Sequence, residues 1–64
     1  MKHLTSDLID CGQDLQLEID RLGYRDASEL ISQILRPLST PEREIVIACL
    51  DNTPERAKIE KTYL

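Results

Sequence analysis

Three side chains of this 64-residue sequence, His3, Cys11 and Cys49, carry the donor atoms of a zinc site, and the imidazole is also the one group with the chemistry of a general base at neutral pH. A tetrahedral zinc centre needs four such donors, and short pairings such as C-x-x-C or H-x-x-x-H bring two of them from one turn. No pair here has that spacing, so no metal and no other cofactor is expected. A solitary histidine close to a terminus is expected to be an ordinary solvated imidazole. The two cysteines read as reduced, small apolar core residues, with a Cys11–Cys49 disulfide as the alternative.

Carboxylates are the other chemistry-bearing group. Asp7, Asp10, Asp14 and Glu18 recur at helical spacing, which puts them one above another on a single open face. General acid catalysis needs a concave, partly desolvated setting that raises a carboxyl pKa, and an open helix face does not supply one. With only two glycines, a Gly-rich phosphate loop is also missing. The chain is therefore not expected to be an enzyme. Like charges at i,i+4 repel by a few tenths of a kcal/mol per pair. They are tolerated on a solvated face or used to meet a basic partner, and Leu17 beside them is a possible apolar anchor.

The net charge is −4, with 4 basic and 7 acidic side chains in residues 1–38 and 4 and 5 in residues 39–64. Lys and Arg nowhere cluster as a nucleic-acid surface requires, so nucleic acid is not the expected partner. An acidic surface suits a basic protein partner or simple solubility. Met1–Asp10 lacks the apolar core of a signal peptide. The longest apolar run, IVIACL, is far below the roughly 20 residues of a membrane span. Cytoplasmic placement without a membrane is the expectation.

These residues need a scaffold. Leu4, Leu8, Cys11, Leu15, Ile19 and Leu22 follow one another at spacings of three or four, the stripe of an amphipathic helix. Thr5 or Ser6 is positioned to cap that helix, and Gly23 to end it with a positive φ. Gly12 falls inside it, either as a point of close helix approach or as a tolerated cost in propensity. A second helix is expected from about Ala27 to Leu35. Asp26 and Glu29 have capping-box spacing, and Pro37 disfavours helical geometry at Arg36.

The tetrapeptide TPER then occurs twice, at Thr40–Arg43 and Thr53–Arg56. Thr as N-cap, Pro at the first helical position and Glu in the first turn make each copy a helix start rather than a binding repeat. The third helix is expected over about Pro41–Asp51, stopped by Asn52 in a left-handed conformation, with a β-strand at Ile-Val-Ile as the alternative. Its second half is apolar on every side. A chain of this size buries only roughly 60% of its unfolded surface. Ile45, Val46, Ile47, Cys49 and Leu50 are accordingly expected at a homodimer interface. A fourth, weaker helix packs through Ile59 and Tyr63.

Two resemblances add to this. LGYRDASELISQIL resembles the junction between the two helices of ribbon-helix-helix repressors and antitoxins, at Gly23, Tyr24, Ser28, Glu29, Leu30 and Ile31. That likeness implies a dimer reading DNA through an N-terminal strand, which here would have to come from MKHLTS, with Lys2 and His3. LSTPEREIVIACL is similar to the first helix of a helix-turn-helix of the sigma region-four or LuxR type. Such domains continue to a recognition helix that is not expected before Leu64.

The sequence thus predicts an all-α fold: one small helical domain over residues 1–64, of three to four helices, a hairpin plus two short proline-started helices, expected to dimerise. The function expected is that of a small acidic regulatory or adaptor protein that binds another protein. Asp7, Asp10, Asp14, Leu17 and Glu18 form its contact face. A ribbon-helix-helix-like DNA-binding repressor or antitoxin is the alternative.

Overall fold

A computed structural model describes residues 5–64. Four helices follow in order: α1 (Thr5–Leu22), α2 (Tyr24–Leu35), α3 (Thr40–Ala48) and α4 (Pro54–Tyr63), with no strand among the described residues. The Ile-Val-Ile segment is helical. Its proline-punctuated start outweighs the strand preference of β-branched side chains.

The apolar stripe of α1 behaves as its spacing predicts. Leu8 and Leu15 are buried, Cys11 and Ile19 half-buried, and Leu22 is exposed at the rim. Leu4, Lys2 and His3 lie outside the described residues. Thr5 and Ser6 sit inside α1, so neither is its cap.

Gly23 alone joins α1 to α2. Its N–H donates to Ile19 O (2.7 Å) and its carbonyl accepts from Ala27 N–H (3.0 Å). One residue ends one helix and starts the next because it adopts φ 86°, ψ 156°, a region open essentially to glycine alone. As a result α2 begins three residues before the expected Ala27, and Asp26 lies within its first turn rather than capping it. The early start brings Tyr24 half under cover and seats Ala27 fully in the core. Gly23→Ala, with open space around the new methyl, is expected to cost about 1–3 kcal/mol from backbone strain alone, read as a lower urea midpoint at unchanged slope.

At the other end of α2, Pro37 does not displace Arg36. That residue keeps φ −58°, ψ −44°, with its N–H bonded to Ser32 O. Its own carbonyl, and that of Leu35, accept from the Arg43 guanidinium. These side-chain bonds hold Arg36 in the helical conformation that Pro37 disfavours.

The two TPER copies both start helices, but one residue out of register. Ser39, not Thr40, is the N-cap of α3, since Arg43 N–H donates to Ser39 O (2.9 Å). The Glu42 carboxylate accepts from both the N–H and the hydroxyl of Ser39 (2.8 Å each). This two-bond clasp on Glu42 takes the cap away from Thr40, whose neighbour Glu is only two residues on. In the second copy Thr53 is the N-cap, Pro54 opens the helix, and Thr53 Oγ1 accepts from Arg56 N–H (3.3 Å).

The arginines of the two copies share a further task. Each reaches back to carbonyls at the end of the preceding element, and Arg43 also reaches forward to α4. Arg43 donates from all three guanidinium nitrogens: Nε to Leu35 O (2.8 Å), Nη2 to Arg36 O (3.1 Å) and Nη1 to Tyr63 O (3.2 Å). Arg56 Nη1 donates to Leu50 O (3.1 Å), while its Nε contacts Glu60 (3.3 Å).

Helix α3 stops at Ala48, three residues short of the expected Asp51. Cys49 N–H and Leu50 N–H turn inward to Val46 O and Ile47 O (3.1 and 3.0 Å), a tighter final turn. Asn52 takes no left-handed conformation, since among the described residues only Gly23 has a positive φ. Side chains from elsewhere do the stopping: Arg56 holds Leu50 O, and Gln16 Oε1 of α1 accepts from Asp51 N–H (2.8 Å).

The core comprises Leu8, Leu15, Ala27, Ile31, Leu35, Leu38, Val46, Ile47, Leu50 and Ile59. Helix α1 packs against both α2 and α3, and α4 lies on α3. At Gly12, α1 comes close to the C-terminal end of α3. A Cβ there would meet Cys49 Cβ and Val46 O at 2.6 Å each. The glycine is therefore a packing requirement, not a tolerated weakness.

Candidate protein-binding face

Helix α1 turns Leu8, Gly12 and Leu15 inward, so the side 180° away faces solvent by the 100° step of the helix. Asp7, Asp10 and Asp14 are exposed there, and Glu18 is half-buried. Asp7 lies in the first turn, where the helix dipole favours an anion. Leu17 follows Asp10 by seven residues, about 20° round the helix, and at 65% exposure is the most solvent-exposed large apolar side chain of the described chain. The five residues expected as a contact face are thus brought together on one surface.

Two features were not anticipated. Arg21 pairs with Glu18 across one turn, which blunts the negative charge at the C-terminal end of the face. The i,i+3 spacing was the available signal. On the adjoining strip, Gln16 Nε2 donates to Asp20 Oδ1 (2.9 Å). Gln16 thereby links the solvent side of α1 to the turn after α3 through its bond to Asp51.

The residues expected at a dimer interface divide into two groups. Val46, Ile47 and Leu50 are buried by the chain itself, while Ile45 and Cys49 are half-buried. Val46, Ile47 and Leu50 are covered because α3 is short and packs against both α1 and α4, while Ala48 faces out. A Cα radius of gyration of 10.6 Å agrees with the about 11 Å of a compact domain of this length.

Cys11 and Cys49 are both free. Burial, and secondarily the Asp14 carboxylate, push the Cys11 thiol above its ordinary pKa, so it stays protonated and poorly nucleophilic at neutral pH. Among the described residues no group of three or more His, Cys, Asp or Glu side chains could hold a metal, and no pocket is formed. No helix of the described residues is long and apolar enough to cross a membrane. His3 and Lys2, on which the DNA-reading alternative depends, lie outside the described residues. In comparison with known proteins, no family model, no curated sequence and no solved structure matches this chain.

Proposed function

We propose that this chain is a small regulatory or adaptor protein that acts by binding another protein through the outer face of α1. The observation that carries this reading is Leu17, 65% exposed on a face with Asp7, Asp10, Asp14 and Glu18. An apolar side chain set among carboxylates fits a partner that offers an apolar seat rimmed by Lys or Arg. Burying the leucine contributes roughly 1.5–3 kcal/mol, and the charges select the partner and speed encounter.

The test is affinity capture of the tagged chain from a lysate of its own cells, with and without nuclease, beside a D10N/D14N variant and a Leu17→Ser variant. Expected is one dominant protein whose recovery survives nuclease. It falls several-fold in either variant, while the circular-dichroism melts of the variants stay within a few degrees of the parent. Unchanged recovery in both variants would remove the face from consideration. Recovery of defined DNA, lost on nuclease treatment, would put the ribbon-helix-helix alternative in its place. A homodimer remains part of the proposal, and sedimentation of the full chain across concentrations decides it.

A further inference from the structure

Residues 5–50 supply nine of the ten buried apolar side chains, and α4 supplies one, Ile59. Beside it the half-buried Tyr63 packs against the core, and the rest of α4's attachment is polar and only part-buried. Arg43 Nη1 reaches Tyr63 O, Arg56 Nη1 reaches Leu50 O, and two cations lie over rings, Arg43 on Tyr63 (5.9 Å) and Lys58 on Tyr24 (5.7 Å). Asp51, Asn52, Thr53 and Pro54, which connect α4 to the rest, are all exposed. At its own start α4 is a complete unit, with Thr53 as cap and a proline to begin it. Sub-global opening occurs where few apolar contacts tie a self-contained element to the core.

From this we propose that α4 is a strap that lifts from α3 as one unit while α1, α2 and α3 stay folded. Opening turns on one fully buried side chain, the half-buried Tyr63 and the part-buried bonds of two arginines, whereas disrupting α1–α3 breaks the packing of nine. The open form bares the side of α3 that α4 covers.

Native-state hydrogen exchange of the full chain at low guanidinium concentrations tests this, with amides followed by NMR. Amides of residues 57–63 are expected to exchange at least about 10-fold faster than those around Leu15 and Ile47, with a weaker denaturant dependence. The Ile31→Val variant separates the two processes. It weakens the closed and the strap-open forms alike, so α4 exchange stays the same while core amides speed up roughly 2- to 10-fold. One shared rate for α4 and the core, accelerated together by Ile31→Val, would overturn the strap.

Discussion

Gly12→Val is expected to unfold the domain, and Gly12→Ala to destabilise it despite a gain in helix propensity. Taken alone, Gly to Ala inside a helix favours folding by about 1 kcal/mol. At position 12 the added Cβ would stand 2.6 Å from both Val46 O and Cys49 Cβ. Neither atom is the far end of a flexible side chain. One is α3 backbone and the other is fixed directly to it, so relief requires α3 to move as a body. That movement loosens contacts of Leu8, Leu15, Val46, Ile47 and Leu50, all buried. Overpacking of this kind costs about 1–3 kcal/mol and at times more, which outweighs the propensity gain for Ala. Valine adds two further methyls and loses side-chain freedom on the helix. At about 0.05–0.15 kcal/mol per residue, a chain of this length carries roughly 3–10 kcal/mol, so a cost of about 4 kcal/mol or more takes a large share of its stability and unfolds it at the lower end of that range. Urea titration monitored by circular dichroism gives the answer. A Gly12→Ala midpoint equal to or above the parent's would mean that α1 and α3 separate at little cost.

Arg43→Ala is expected to lower the melting temperature by about 10–20 °C. The guanidinium satisfies carbonyls of Leu35, Arg36 and Tyr63, at the C-terminal ends of two different helices. Helix α2 has no basic residue in its own last turn, so the cation that its dipole favours comes from α3. Hydrogen bonds to charged groups contribute about 1.5–3 kcal/mol each. The site is only part-buried, and water recovers some of that after truncation. A net loss of about 2–3 kcal/mol shifts the melt by 10–20 °C in a chain this short, at about 4–8 °C per kcal/mol. Arg43→Lys is expected to recover less than half, because an ammonium cannot place three donors in a planar fork. Arg56→Ala is expected to fall well short of Arg43→Ala. It frees a single carbonyl and breaks an ion pair whose glutamate is half-exposed to solvent. Equal melts for the parent and Arg43→Ala would show that water serves those carbonyls as well.

Much of the candidate face was legible in the sequence. Asp7, Asp10, Asp14, Leu17 and Glu18 sit on one long helix, and the angle between residues on a helix follows from their spacing alone. What spacing left open was the partial neutralisation by Arg21, because long side chains choose among several neighbours. The segment Ile45–Leu50 was less legible. Its apolar character required burial, but whether one chain or two would provide it depends on which faces α1 and α4 present to α3. That choice is made between residues far apart in sequence.

The sequence by itself determined the four helices, the proline-started third and fourth among them, and the outward acidic stripe of α1. Periodicity, proline's fixed φ, glycine's freedom and reciprocal capping all act within about one helical turn, and so they can be read along the chain. Even there, the exact boundaries shifted where a distant side chain intervened, as at Arg36 and at the end of α3. Tertiary structure alone decided that Gly12 is where two helices touch, and that Gln16 closes a turn 35 residues later. It also made the arginine of the first TPER a pin across α2, α3 and α4. Those contacts join atoms brought together only after the apolar faces pair, so a unique arrangement emerges from packing rather than from any local stretch of residues.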